Sequence, residues 1–269
     1  MRYYDNLYIE NGTLNNISAS VNTTRFAVGD ITYQRAECAE GTYFTIELPT
    51  VLFLNKELQF RTVKVLGQIL DSLFKRFKVK KSDHVMVIGI GNDGLTSDAL
   101  GVRSLMDLEI TEHLHKKGIN RKNGRLSGFS SGVSGVTGLS SFEIIRAVTS
   151  DLKPSLLILV DTLATKKILR LQKTIQVSDI GLTPGSGVNN NQTRLSKDTL
   201  GIQTITIGVP LVIYVKHILM DYIGNEHLEN ERIASELDSL VVTLKEIDIA
   251  VNDFSRVIAL AINHAVHGN

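Results

Sequence analysis

The 269-residue chain has a single cysteine, no excess of either charge and no long apolar run, and each shortage removes a class of function. Cys38 alone makes neither an intrachain disulfide nor a cysteine-based zinc site, and such sparing use fits a reducing interior. With 29 Lys and Arg against 28 Asp and Glu, the formal net charge is +1. No global field then draws the chain to nucleic acid or to an anionic membrane. No apolar run reaches the roughly 18 residues that a membrane span needs. The start, Met1-Arg2-Tyr3-Tyr4-Asp5, is polar and lacks the apolar core of a signal peptide. The reading is a cytoplasmic protein with no membrane and no direct nucleic-acid partner. Histidines are also missing where chemistry would use them. His113 and His115 lie two apart on a helix and face different ways. His264 and His267 share a face at a frayed C-terminus, where helix-dipole capping explains them. None falls on a loop at a strand end, so neither a Ser-His-Asp triad nor a metal site is expected there, and no cofactor is implied.

What is present is an ordinary globular composition, 43% hydrophobic and 21% charged. Residues 1–30 are rich in Asn, Thr and Ser with little periodicity and read as a loose arm; residues 31–269 read as one domain. Thr42 to Leu48 alternates as a half-buried strand. From Glu57 to Phe77, Leu66, Ile69, Leu70, Leu73 and Phe77 share one helix face. Strand and helix patterns then alternate: a strand over Val85–Ile90, a helix from about Asp98 to Lys117, and a strand over Arg125–Phe129. Ser140-Ser141-Phe142-Glu143 has the spacing of a capping box and opens a helix to Leu152. Leu156–Val160 is an apolar strand ending on Asp161, and Thr204–Val209 is another strand. Pro210 suits the first turn of a helix through Tyr222. The last helix begins at the capping box Thr243-Leu244-Lys245-Glu246 and stops at Gly268. Repeated βα units imply an α/β fold, a mostly parallel sheet with helices on both faces. The lysine runs Lys75–Lys81 and Lys116–Lys117 sit where helices should end and are read as solvated caps.

In such sheets ligands bind beyond the carboxyl ends of the strands, and three loops fall there. The first, Gly89-Ile90-Gly91-Asn92-Asp93-Gly94 to Asp98, matches G-x-G-x-x-G. Its helix starts too late to place a pyrophosphate, and the next strand ends Gly128-Phe129-Ser130 without an acid for a ribose. Asp98 reads either as a helix N-cap or as a working carboxylate. The second loop is Val160-Asp161-Thr162-Leu163-Ala164. Asp161 follows four apolar residues, where a carboxylate is costly to bury unless paired or used; the plainer alternative is a polar residue ending a strand. The third element is glycine-rich: Gly132, Gly135 and Gly138, with a companion at Gly185 and Gly187. These loops either let a substrate main chain approach and offer N–H donors to an oxyanion, or are plain turns.

The segments Gly89–Gly101, Ser131–Gly138, Val160–Ala164, Thr174–Asp179, Pro184–Val188 and Ile207–Pro210 together resemble the signature of the spore germination proteases, in family order and at family-like spacing. The resemblance covers residues 84–215 nearly without a break and returns more weakly from Leu240 to His267. It implies an endopeptidase that degrades small acid-soluble spore proteins when a spore germinates, made as a zymogen, assembled as a homotetramer and located in the cytoplasm of the forespore or spore core. The fold implied is similar to that of the hydrogenase maturation proteases. The family's two aspartates fall on Asp98 and Asp161, and Asn92, Thr162 and the loop glycines 132, 135, 138, 185 and 187 become candidates for holding substrate. Two close carboxylates share a proton near neutral pH, so one activates water while the other polarises the peptide carbonyl. Asp93, facing inward, would strengthen proton binding by the pair.

The chain also departs from the pattern. Asp93-Gly94 stands where the family usually has Trp-Asn, Ser97 where it has Pro, and the stretch before the last helix is short. At the position of the family's processing site, Thr24, Phe26 and Ala27 keep the pattern while Arg25 replaces an acid. Residues 1–30 are on this reading a pro-segment candidate, and 31–269 a single peptidase domain. Two other readings stand beside this one: a catalytically silent substrate-binding relative, and a metal-recognising protease of the hydrogenase-maturation type.

Overall fold

The computed structural model describes residues 22–53, 55–119, 122–184, 193–223, 237 and 240–268. Among these, nine strands form one sheet in the order β1-β2-β3-β7-β8-β6-β4-β5, with β9 (Val241–Val242) pairing with β8 (Gln203–Tyr214). The parallel part is β5 (Arg125–Ser130), β4 (His84–Gly89), β6 (Leu156–Thr165) and β8. Towards the other edge β7 (Thr174–Ser178), β3 (Gly41–Glu47), β2 (Ile31–Cys38) and β1 (Asn22–Val28) are all antiparallel. The α/β class is as expected, but only half the sheet is parallel, because β1 to β3 form a meander through short turns that need no crossover helix.

That meander includes part of the stretch expected to be a loose arm. Residues 22–28 form β1, paired along its length with β2 across the Gly29-Asp30 turn. Its stabilising contacts are cross-strand and invisible to a local reading: the Phe26 ring stacks on Tyr33 at 4.8 Å, and Arg25 meets Glu47 at 3.2 Å. Residues 1–21 lie outside the described part.

One sheet face is covered by α1 (Lys56–Arg76) and α8 (Ile247–His267), whose apolar stripes close the main core. Asn55 caps α1 by accepting the Leu58 N–H at 3.0 Å. Phe254 of α8 is fully buried, worth about 1.5–3 kcal/mol against an exposed ring. α5 (Ser141–Leu152) covers the other face, its Ile145 packing on Met86, Ile88, Leu157 and Leu159. The expected capping box is formed, with Ser140 and Glu143 each closing on the other's backbone N–H. Gly268, left-handed, ends α8 as expected.

Three other elements differ from expectation. The helix foreseen from Asp98 to Lys117 is broken into a 3-10 turn (Thr96–Asp98), α2 (Leu100–Ser104) and α3 (Glu112–Lys116). Tertiary partners take the backbone groups between α2 and α3: Asn263 of α8 accepts the Glu109 N–H and donates to the Asp107 carbonyl, both at 2.9 Å. Thr111 donates to the carbonyl of Gly124, just before the next strand, and accepts the N–H of Leu126 within it. Pro210 does not open a helix but lies inside β8, where the register with β6 slips between Leu163 and Ala164. A bulge tolerates a residue with no N–H to give; after the single-turn α6 (Lys197–Leu200) that precedes β8, the next helix, α7 (Val215–Ile223), starts five residues beyond Pro210. The Thr243–Glu246 box is not formed: Thr243 donates instead to the Leu211 carbonyl, and α8 starts at Ile247. His267 is likewise no frayed cap, being 1% exposed with Nε2 meeting the Glu109 carbonyl at 3.1 Å.

Candidate active site

β4 stops at Gly89, paired with Val160, and the Ile90 N–H still donates to the Val160 carbonyl at 2.9 Å. The next residue of β6 is Asp161, which therefore stands at the carboxyl edge on the side of β4. On the other side it remains laddered, opposite Gly208 of β8. It does not end its strand, as the sequence suggested, because β8 runs on beside it. By the alternation of strand side chains Asp161 continues the face of Leu157 and Leu159, and it is 8% exposed.

Asp98 arrives from the loop after β4. The Asn92 N–H is shared between its carboxylate Oδ2 at 2.9 Å and its carbonyl at 3.1 Å, closing the loop into a ring. Gly91 makes this closure possible: at φ +120° a Cβ there would lie 1.9 Å from the Asp98 carbonyl oxygen. The 3-10 turn packs against both β6 and α8. So Asp98 accepts its hydrogen bond from a residue before it in the chain, not from the helix that follows, and the N-cap role does not describe it.

Burial pushes Asp98 up to about 6, against the lowering pull of the Asn92 amide. Burial raises Asp161 well above the usual carboxylate range, the charge of Asp98 raises it further, and the Thr162 N–H at 2.8 Å only partly offsets this. Asp93 takes no part. It is exposed, turned outward to Arg103 of α2 at 3.5 Å, and Arg103 also holds Asn252 of α8 at 3.0 Å. The inward-facing Asp93 considered above is thereby corrected. No local pattern announces Arg103, which the sequence reading missed.

The other candidates are placed unevenly. Asn92 serves the loop, its side chain accepting the Gly94 N–H at 3.0 Å. Thr162 adjoins Asp161, and its buried Oγ1 has no hydrogen-bond partner among the described residues. Gly132 has φ +64°, and its carbonyl accepts from Ser141 at 3.2 Å. Gly135 lies in the short helix α4 (Ser134–Thr137), and Gly138 caps it in the left-handed region. The Val136, Thr137 and Gly138 amides are bonded within that turn, which leaves fewer donors for an oxyanion than expected. Gly185 and Gly187 lie outside the described residues. Among the described residues no three His, Cys, Asp or Glu side chains converge as a metal site.

Both raised carboxylates make folding take up protons. The stability they confer is full below about pH 4, and is lost for Asp98 as the pH rises through about 6 and for Asp161 as it rises through that group's own raised value. Glu112, held low by Arg125, acts in the opposite sense below this window, and His84 and His267, held below the usual imidazole range by burial, oppose it within the window. Between about pH 5 and about pH 8 the two aspartates lower the melting temperature as the pH rises, and Asp161→Asn should remove its share, so that the variant gains on the parent with rising pH. Melting curves of parent and variant with identical pH slopes would assign the dependence to other groups.

The sequence profile described as germination protease matches residues 5–237. A germination protease of Caldanaerobacter subterraneus subsp. tengcongensis is 35% identical over 256 residues, 84% of this chain and 78% of that one. One from Clostridium acetobutylicum is 31% identical over 274 residues, 91% of this chain and 84% of its own length. Among solved structures, a [NiFe] hydrogenase maturation protease HycI of Thermococcus kodakarensis aligns over 53% of this chain and 80% of its own, at TM-score 0.34 and 19% identity. The chain, then, belongs to the germination protease family.

Proposed function

We propose that this protein is an endopeptidase that hydrolyses small acid-soluble spore proteins during spore germination, with Asp98 and Asp161 as its working pair. The observation that carries the reading is the pair itself. Two carboxylates that both favour protonation meet at the carboxyl edge of the parallel strands, in a chain of a peptidase family. Near neutral pH the pair holds one proton and titrates as a unit. Its ionised member takes a proton from water as that water attacks the peptide carbon. Its protonated member hydrogen-bonds the carbonyl oxygen and stabilises the negative charge that develops there. The proton then passes to the leaving amine nitrogen, and the C–N bond breaks. Thr162, next to Asp161 in β6, and the glycine turns around 132–138 after β5 are the candidates to align the substrate main chain, with Gly185 and Gly187 as further candidates.

The test is direct: the purified chain is incubated with an acid-soluble spore protein and the fragments are identified. Cleavage that survives exhaustive chelation supports the carboxylate mechanism. Activity regained only on adding nickel or zinc would favour the metal-recognising alternative, and intact substrate throughout would favour a silent binder. The work is proposed to take place in the cytoplasm of the forespore or spore core, by a homotetramer whose mass light scattering would report.

Self-processing between Arg25 and Phe26 is expected to be slow or absent. A pocket that reads an acid would meet a cation there. The bond also lies within β1, where Arg25 pairs with Gln34 and Phe26 with Tyr33, so a protease must first free the strand. Mass spectrometry after prolonged incubation checks this. Rapid, stoichiometric appearance of a chain starting at Phe26 would contradict it, and Arg25→Glu should speed the step.

A further inference from the structure

The two lysine runs read as separate helix caps in the sequence do not stay separate. Lys75 and Arg76 do lie in the last turn of α1, but Lys81 lies beyond it, in the turn before β4. Lys116 closes α3, and Arg125 is the first residue of β5. Lys81 and Lys116, with Ser82, His115 and Arg125, line an open cleft of about 720 Å³ there. It lies at the amino ends of β4 and β5. Asp98 and Asp161 are at the opposite edge, about 20 Å away along the six residues of β4.

The charges around the cleft do not cancel. Glu112 answers Arg125 through two bonds, of 2.8 Å to Nε and 2.7 Å to Nη2, while Nη1 reaches only the Ser82 carbonyl at 3.4 Å. Asp83 neighbours Arg125, and its Oδ2 accepts the Lys80 N–H at 2.8 Å. His84 and His267, buried nearby, are held below the usual imidazole range and add no charge. His115 spends Nε2 on the Asn123 carbonyl at 3.0 Å, leaving Nδ1. Lys81 stands beside Gly268 at the end of α8, its Nζ 3.9 Å from where a Cβ would be. Neither Lys81 nor Lys116 has an ion-pair partner among the described residues. Two lysines lining one concavity repel each other, and a polyvalent anion bound there turns that repulsion into attraction.

We propose that this cleft binds a compact, phosphate-bearing small molecule, at a site separate from the aspartate edge. Lysines acting as point charges, a guanidinium with N–H groups to spare and a hydroxyl suit a phosphate's several oxygens. A concave site on a chain of net charge +1 suits a small ligand better than a nucleic-acid duplex, which needs an extended basic surface.

The experiment titrates the whole protein calorimetrically at low salt with pyrophosphate, and in parallel with citrate and a short DNA duplex. Saturable pyrophosphate binding is expected, weakened at least tenfold in Lys81→Gln/Lys116→Gln, retained in Lys116→Arg and unchanged in Asp98→Asn. Pyrophosphate should also raise the melting temperature of the parent but not of the double variant. Circular dichroism establishes that the variants are folded. If the double variant fails to fold, the Lys116→Gln single variant takes its place, with the same loss expected. The proposal is overturned by no saturable binding at millimolar pyrophosphate, by equal binding to the glutamine variants, by citrate binding as tightly, or by preference for the duplex. A parent whose melting temperature ignores pyrophosphate but falls on losing Lys81 would reduce that lysine to a cap for α8.

Discussion

Asp98→Asn and Asp161→Asn should each lower cleavage of a spore-protein substrate by at least about a thousandfold, which is the scale on which positioned proton transfer acts. An amide neither takes a proton from water nor donates the proton that the carbonyl oxygen needs, so each substitution stops one half of the reaction. The fold should survive, because Asn has nearly the shape of a protonated aspartic acid and both sites already favour the neutral form. At neutral pH the variants should melt no lower than the parent, since each removes a carboxylate that burial opposes. Loss of activity with unchanged circular dichroism is the expected result. Substantial residual cleavage in both variants would remove the two-carboxylate mechanism, whatever the family.

Gly101→Ala is expected to damage the site severely, although it adds only one methyl group. A Cβ at residue 101 would lie 2.3 Å from the carbonyl oxygens of both Ile90 and Val160 and 2.5 Å from the Ile90 nitrogen. All three are backbone atoms, so no side chain rotates away to make room. α2 must lift off the ends of β4 and β6, taking the neighbouring Asp98 turn with it. Overpacking of this kind costs roughly 3 kcal/mol or more, equivalent to a fall of about 6–12 °C in melting temperature for a chain of this size. Activity should fall further than stability, because the displacement separates Asp98 from Asp161. A variant with parental melting and parental turnover would mean that α2 is not held against the sheet as described.

What was legible in the sequence was what a few neighbouring residues decide. The Ser140 capping box closes within four positions, α1 shows its stripe over five turns, and both appear where expected. Pro210 misled because the register slip that accommodates it depends on β6, which lies far away in sequence. The break after α2 depends on Asn263 of α8, and the outward turn of Asp93 on Arg103 and Asn252; no window along the chain contains these partners. For the site, an acid after an apolar strand at the carboxyl edge pointed to Asp161, while Asp98 also read as a helix N-cap and was joined to it through the family resemblance. That β6 continues past Asp161 was hidden, since it depends on β8 running beside it.

That continuation makes the two aspartates mechanically unequal. Asp161 is carried by a strand with parallel neighbours whose amides open only when much of the sheet does, so its carboxylate behaves as a fixed reference. Asp98 rides on a single turn closed by the Asn92 amide, a unit that a small local fluctuation suffices to loosen. On the proposed mechanism a proton crosses the pair, the preferred spacing between the oxygens changes, and the adjustment falls to the side able to yield. Amide exchange should accordingly be slow along β6 and faster around residues 92–98, and a ligand that mimics the reacting carbonyl should slow the second without altering the first.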